Sequence, residues 1–434
     1  MSTKTKEPFK VGIAGLGTVG VGVVKILETN QDLIAKRVGR PIEIISVTAS
    51  SKDKDRGIDL SSYEWIDTIG DMVSDQSLDC FIECIGGSEG AVKEAVETAL
   101  GNSLHVVTAN KALVAHHGVH LAQLAKKNGV TLAYEAAIAG GIPIVKTLKE
   151  GLAANNIHKV FGILNGTCNY ILTNMEKTGR DFSEVLTEAQ EKGYAEADPS
   201  FDVDGIDAAH KLALLGALAF GVEPDFEALS IEGIRQISAA DISVAKEMGY
   251  RIKLLGITKM QDGMYMESVE PCFVPLESAI AGIDDVFNAV LTEGDFVGQT
   301  LMQGRGAGQG PTASSIVADI IDLAKGYHPE PFGKPVDQLQ SVQWRDNNEI
   351  STSCYVRLKV KDETGVIAQI TDKLGHSDVS IDSFIQRGHE DDGSASVFIL
   401  THETVFSNAR NALKAVEELD CVIDKPLLLR IEKI

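Results

Sequence analysis

The sequence predicts an α/β protein with an N-terminal parallel sheet, a middle segment rich in helix signals and a small C-terminal α+β unit. Three observations predict it. Strand-like and helix-like stretches alternate through residues 1–140, the pattern of a parallel sheet covered on both faces. A glycine loop, Gly15-Leu16-Gly17-Thr18-Val19-Gly20, joins the first strand to the first helix. Residues 350–434 run strand, helix, strand, strand, helix, strand, which is the ferredoxin-like order.

Short β-branched or apolar runs bounded by glycine or polar residues mark strands at 10–14, 42–48, 79–85, 105–108 and 130–134. Helical patterns lie between them at 19–28, 89–99 and 118–127. The middle segment carries helices at 182–191 and 207–220, then a glycine-rich stretch at 304–310 and a helix at 312–325. The proline-rich piece 327–335 reads as a linker. In the last segment the strands fall at 355–360, 380–387, 395–401 and 427–432, and the helices at 366–374 and 408–417.

A chain of 434 residues is long enough for about three domains. With 44% hydrophobic and 24% charged residues, disorder and collagen-like structure are excluded. The net charge of -22 repels phosphate backbones and anionic membranes, so no nucleic-acid or membrane partner is expected. The longest apolar run, 212–222, is too short to span a bilayer. Lys4, Lys6 and Lys10 precede an apolar run at 11–24 and mimic a signal peptide. Glycines break that run, and Lys25 with an acidic helix follows where a cleavage site belongs, so secretion is not expected. Cys80, Cys84, Cys168, Cys272, Cys354 and Cys421 are scattered, without a Cys-x-x-Cys pair. That argues against zinc and disulfides and for a reducing cytoplasm.

The glycine loop follows a strand and opens a helix, the context a dinucleotide fingerprint requires. Gly15 makes the tight turn, Gly17 lets the backbone approach a pyrophosphate, and Gly20 lets the helix pack on the sheet. The helix N-terminus supplies amide donors to the anion. After the second strand comes Ala49-Ser50-Ser51-Lys52-Asp53-Lys54-Asp55-Arg56, with no acid in the first positions. Lys52 or Arg56 suits a 2′-phosphate, which favours NADP(H), while Asp53 keeps NAD(H) open.

The densest chemistry lies at 189–211, where Glu196, Asp198, Asp202, Asp204 and Asp207 precede Lys211 and an apolar helix. A calcium loop starting at Ser200 fails, because Lys211 occupies the position that needs a bidentate glutamate. Asp207 and Lys211 are four residues apart on one helix. An exposed pair would be worth little, and it leaves Glu196 and Asp202 unexplained. An ammonium partly buried among carboxylates is a plausible proton donor, and the carboxylates suit the ammonium of an amino-acid substrate. Lys111 stands just past the strand 105–108, where ligands of parallel sheets bind.

Together these residues resemble the homoserine dehydrogenase family, in its monofunctional form with a C-terminal ACT domain. The block 189–211 matches the family signature, and Thr108-Ala109-Asn110-Lys111 and Asn165-Gly166-Thr167-Cys168-Asn169-Tyr170 also look like family segments. The resemblance spans nearly the whole chain from Phe9, with no aspartate kinase segment ahead of it. It implies reversible NAD(P)H-dependent conversion of L-aspartate 4-semialdehyde to L-homoserine in threonine, methionine and isoleucine biosynthesis. It implies Lys211 as acid-base residue and Lys111 as a second lysine at the reacting centre and cofactor. Glu196, Asp207, Asp202 and Gly193 would hold substrate. Gly15, Leu16, Gly17, Thr18, Val19, Gly20 and Gly308 would contact the cofactor.

The resemblance further implies Na⁺ or K⁺ bound mostly by backbone carbonyls at Glu135, Ile138, Gly140 and Ile142. It divides the chain into a Rossmann domain at 1–140 completed by about 304–335, an α+β catalytic and dimerisation domain at 141–303, and an ACT domain at 350–434. Threonine as feedback effector and a homodimer or homotetramer are the expected partners. One departure is Gly304-Arg305-Gly306-Ala307-Gly308, where the family commonly has proline in place of Arg305. Two other readings compete: a dehydrogenase of a different small aldehyde or amino acid, and a non-catalytic amino-acid sensor, which predicts lost lysines.

Overall fold

The computed structural model describes residues 7–388 and 393–434. Lys4 and Lys6 lie outside the described residues. The apolar run behind them forms the strand Phe9–Ala14 and the helix Thr18–Thr29, both packed into the first sheet.

That sheet has the order Glu64–Trp65, Ile42–Thr48, Phe9–Ala14, Cys80–Glu83, His105–Thr108, Leu132–Ala133, and every pair is parallel. The inner strands Phe9–Ala14, Cys80–Glu83 and His105–Thr108 are short and almost wholly buried, as apolar runs in a covered parallel sheet must be. Strand order reverses at Phe9–Ala14, which opens a crevice beyond its carboxyl end, and the glycine loop sits there. Helices Ala91–Gly101 and Lys111–Asn128 cover one face. Helices Thr18–Thr29 and Gln309–Lys325 cover the other, the second returning after the whole middle segment. They touch at Gly22, where a Cβ would stand 2.7 Å from the Gln309 carbonyl oxygen.

The middle segment builds a second sheet that the sequence does not announce. Its order is Gly298–Arg305, Phe287–Gly294, Ile157–Ile163, Tyr250–Gln261, Met264–Pro275, and it then continues through the C-terminal unit as Leu427–Ile431, Cys354–Lys361, Ser394–Thr401, Ile381–Arg387. The glycine-rich stretch begins inside the first of these strands. The hidden strands have a physical reason. Residues 252–258 are all buried, including Lys253 and Thr258, so no period of two marks the strand.

The C-terminal unit keeps the ferredoxin-like order expected of it, and it is no tethered module. Leu427–Ile431 pairs parallel with the central strand through Cys272↔Arg430 and Phe273↔Ile431. The Tyr355 ring stacks on Phe273 at 4.2 Å. The proline-rich piece is also not a free linker. Phe332 is 1% exposed, lies against Tyr134 and approaches Gly118, while the Tyr134 hydroxyl donates to the Pro331 carbonyl at 2.8 Å. No helix among the described residues is long and apolar enough to cross a membrane, and all six cysteines are free thiols.

Removing the Phe332 ring leaves a cavity between this segment and the first sheet's helices. Phe332→Ala is expected to cost about 3–5 kcal/mol, read from urea unfolding of the purified protein.

Candidate functional site

Three pieces of chain meet beyond the carboxyl end of the first sheet. The helix Lys111–Asn128 begins there, capped by Asn110, whose side chain accepts from the Leu113 amide at 3.1 Å. The strand Ile157–Ile163 delivers Leu164 and Asn165, and Asn165 caps the helix Gly166–Thr178. The helix Ile206–Phe220 starts after Gly205, whose φ of +86° requires glycine. Its first turns bring Asp207 and Lys211 to the same point.

Asp207 is the hub. One carboxylate oxygen accepts from Lys211 Nζ at 2.6 Å and from Asn165 Nδ2 at 2.8 Å. The other lies 3.1 Å from Lys111 Nζ. Burial pushes this carboxyl up, but the ammonium groups of Lys211 and Lys111 outweigh it and hold it well below the usual carboxylate range. Lys211 is itself buried and donates a second hydrogen bond to the Leu164 carbonyl at 2.7 Å. An ammonium has three donors, so one is left for a substrate.

These groups line a cavity of about 600 Å3. Its walls include Gly193, Glu196 and Asp202 on one side, and Val19, Ile138, Arg305 and Gly308 on the other. Asp202 accepts from Asn165 Nδ2 at 2.7 Å, and burial raises its carboxyl. Glu196 is exposed at the rim. Asn165, Thr167 and Asn288 also line the cavity, and sequence reasoning did not single them out as site residues. Asn165 joins Asp202 to Asp207, and Asn288 Nδ2 donates to the same Leu164 carbonyl as Lys211, at 2.9 Å. Asn165 and Thr167 lie in the family-like segment 165–170, which is their cue in the sequence; Asn288 has none.

A second cleft of about 470 Å3 is lined by Gly15, Leu16, Gly17, Ala49, Ser50, Lys54 and Arg56. The three glycines divide their work. Gly15 has φ +93°, and a Cβ there would meet the Cys84 carbonyl oxygen at 2.5 Å. A Cβ on Gly20 would stand 1.9 Å from the Gly15 oxygen, whereas Gly17 faces open space. Gly20 therefore packs the helix, and Gly17 leaves the backbone accessible. Thr18 is exposed in the first helical turn. Neither Lys52 nor Asp53 is among the residues lining the cleft, while Lys54 and Arg56 are. Arg56 Nε donates to the Leu16 carbonyl at 3.2 Å, which holds the guanidinium at the glycine loop.

The turn after Leu132–Ala133 is curled by Gly140, with φ +55°. The Glu135 carboxylate accepts from the Val145 and Lys146 amides at 2.9 and 2.8 Å. Burial and the neighbouring Asp319 raise it to about 7. The Gly140 carbonyl accepts from Ser315 Oγ at 2.6 Å and the Ile142 carbonyl from the Ile144 amide at 2.8 Å. Each carbonyl oxygen has two lone pairs, so these bonds leave one on each. No cluster of three or more His, Cys, Asp or Glu suited to a metal occurs among the described residues.

Comparison with known proteins bears on all three segments. The family models described as homoserine dehydrogenase NAD-binding domain, homoserine dehydrogenase and ACT domain match residues 15–135, 143–321 and 355–418. A homoserine dehydrogenase of Neisseria gonorrhoeae is 43% identical, with 99% of each chain covered. A crystal structure of a homoserine dehydrogenase from Thiobacillus denitrificans superposes with a TM-score of 0.93 at 42% identity over 99% of each chain. A hyperthermophilic archaeal homoserine dehydrogenase in complex with NADPH is similar at a TM-score of 0.64 and 26% identity, covering 75% of this chain and 100% of that one.

Asp207→Asn leaves two ammonium groups without their carboxylate, an expected loss of about 3–5 kcal/mol of stability at pH 7. A lowered folded pKa adds stability above the unfolded-state value and loses it as pH falls. The gap between native and variant protein should therefore narrow below about pH 4, read from urea unfolding at a series of pH values.

Proposed function

The chain belongs to the homoserine dehydrogenase family and is an oxidoreductase, and on that premise we propose that it interconverts L-aspartate 4-semialdehyde and L-homoserine with NADP(H) as preferred cofactor. The observation that carries the chemistry is Asp207 bonded to both Lys211 and Lys111 in one cavity with Gly308.

The nicotinamide supplies or takes the hydride. Lys211 directs its remaining N–H at the aldehyde oxygen and protonates it as the alkoxide forms. Asp207 holds that ammonium in place, and Lys111 adds a second positive field. Glu196 and Asp202 receive the substrate ammonium, and Gly193 closes the pocket beside them. Both lysines are held at the site, which favours catalysis over a non-catalytic sensor.

Residues 1–140 with about 304–335 carry the dinucleotide, 141–303 the substrate and the subunit contact, and 350–434 the regulation. Gly15, Leu16, Gly17, Thr18, Val19, Gly20 and Gly308 serve the cofactor, with Gly20 acting through helix packing. The NADP(H) preference rests on Lys54 and Arg56 in the cleft and the absence of an acid directly after the strand Ile42–Thr48. A solved relative carries NADPH. The carbonyls of Glu135, Ile138, Gly140 and Ile142 would hold Na⁺ or K⁺. The ion would steady a turn already tied to the Arg305 carbonyl by the Gly141 amide at 3.0 Å.

Threonine is the proposed feedback effector, acting through the C-terminal unit in a biosynthetic route to threonine, methionine and isoleucine. The sheet ends at Ile381–Arg387, whose outer edge pairs with nothing among the described residues. Such an edge suits side-by-side pairing in a homodimer or homotetramer. Six free thiols suit a reducing cytoplasm.

Purified protein in a buffer containing Na⁺ or K⁺ should reduce NADP⁺ when L-homoserine is added. Lys211→Ala should lower kcat about 10²–10⁴-fold while NADPH binding, followed by fluorescence, is retained; near-normal turnover would remove Lys211 as the acid. Arg56→Ala should shift the NADP⁺ to NAD⁺ ratio of kcat/KM about tenfold towards NAD⁺, the worth of one hydrogen bond to a charged group.

A further inference from the structure

A second polar cavity, of about 290 Å3, lies where the central sheet, residues 341–349 and the C-terminal unit meet. Arg345, Arg410, Arg430, Glu232, Glu270 and Trp344 are among its walls. Arg430 is 1% exposed and donates from Nε to Glu270 at 2.9 Å and from Nη2 to Ser268 Oγ at 2.9 Å. Its Nη1 is buried with no hydrogen-bond partner among the described residues, and so is Nε of Arg345. Unbonded guanidinium N–H groups in a buried polar pocket are costly and call for an acceptor. Arg410 stands over the Phe406 ring at 5.1 Å and donates to Asn348 Oδ1 at 3.2 Å. Across the cavity, the Glu232 carboxylate accepts from Gln236 Nε2 at 2.5 Å and has no cation within salt-bridge distance among the described residues. Guanidinium N–H groups without an acceptor on Arg430 and Arg345, and a carboxylate with no cation in contact among the described residues, thus share one small cavity.

We infer that this cavity binds a small free α-amino acid, its carboxylate on Arg345 and Arg410 and its ammonium on Glu232. Arg430 and Glu270 form the fixed wall behind it. The assignment rests on the regulatory reading of the C-terminal unit, but it places the effector inside one chain rather than on the Ile381–Arg387 edge.

The site has a physical route to the substrate cavity. The Glu232 amide donates to the Val269 carbonyl at 2.7 Å, and the Ile234 amide to the Val203 carbonyl at 2.9 Å. Between them a Cβ on Gly233 would stand 2.2 Å from the Val203 oxygen, so the two backbones are in close contact. Arg235 grips Asp204 through Nε and Nη2 at 2.5 and 3.1 Å. Val203 follows Asp202, so a ligand pulling on Glu232 acts on the segment that carries Asp202.

The test uses the full-length protein with Trp65→Phe, which leaves Trp344 as the sole tryptophan. Its emission is followed while L-threonine, L-serine, glycine, sodium acetate and methylammonium chloride are titrated in turn. An α-amino acid should give a saturable change, with acetate and methylammonium at least about tenfold weaker, since each engages one end only. Arg345→Gln, Glu232→Gln and Arg410→Gln should each raise the amino-acid Kd about tenfold or more and leave kcat without effector unchanged. Arg410 lies on an exposed helix face, so its variant reads out binding free of folding effects. Inhibition by threonine that survives in all three variants would overturn this site while keeping the regulatory reading. Saturable amino-acid binding at Trp344 with no effect on turnover would keep the site and remove the regulatory reading. Acetate binding as tightly as the amino acids, or no saturable change with any of them, would overturn the assignment.

Discussion

The site depends on one buried carboxylate shared by two ammonium groups. The ammonium groups of Lys211 and Lys111 offset the burial of the Asp207 carboxyl, and among the described residues neither lysine has another carboxylate within salt-bridge distance. Breaking such a cluster leaves uncompensated charge, so its members stand or fall together. The constraint reaches far along the chain. It fixes the start of the helix Lys111–Asn128 against the start of the helix Ile206–Phe220, and both against the end of the strand Ile157–Ile163. The first sheet and the central sheet are thereby locked at one point, and the cavity is the space they leave.

A second buried carboxylate prepares that point from the cofactor side. Glu83, at the end of its strand, is fully buried and accepts from the Ile85 and Gly86 amides at 2.6 and 2.9 Å and from Thr108 Oγ1 at 2.5 Å. Asn110 Nδ2 then donates to the Gly87 carbonyl at 2.6 Å. Two neighbouring strand ends are tied together, and Lys111 follows directly from the tie. The turn bordering the cleft at the glycine loop and Lys111 are therefore held by one network, with both carboxylate oxygens of Glu83 in use. Position here is set by hydrogen bonds that need no mobile side chain.

What was legible in the sequence follows from where the physics is local. The glycine loop could be read because each glycine answers a local demand: a positive φ at Gly15, an open face at Gly17, a close approach at Gly20. The pairing of Asp207 with Lys211 could be read because four residues make one helical turn. Lys111 was found only as the neighbour of a strand end, and nothing local showed that it shares Asp207 with a residue 100 positions away. Asn288 left no trace at all, since its role is a bond to the carbonyl of Leu164, a long-range contact with no side-chain partner to pair by pattern. The central strands were missed for a related reason. A strand buried on both faces loses alternation, and the lysine at position 253 disguised it further by hydrogen-bonding to Asn169 Oδ1 at 3.1 Å while fully buried. Lys54 was passed over for Lys52 because sequence distance from a strand does not say which way a loop turns.

The C-terminal unit shows how continuity of a sheet changes the meaning of a domain. A ferredoxin-like unit read from sequence invites the picture of a module on a tether, whose ligand acts by moving it. Here its last strand is hydrogen-bonded into the same sheet as the strand Ile157–Ile163, which leads to the Asp207 cavity, and its Tyr355 hydroxyl donates to buried Asp241 at 2.6 Å. Arg357 adds an ion pair to the same Asp241. A unit joined in this way cannot swing without breaking ladder hydrogen bonds and parting Arg357 from Asp241. Any signal from it must travel as a small displacement through packed backbone, as interiors are bistable rather than soft. The segment from Glu232 to Arg235 is placed to carry one, because it is bonded to the central strand at one end and pressed against the backbone beside Asp202 at the other.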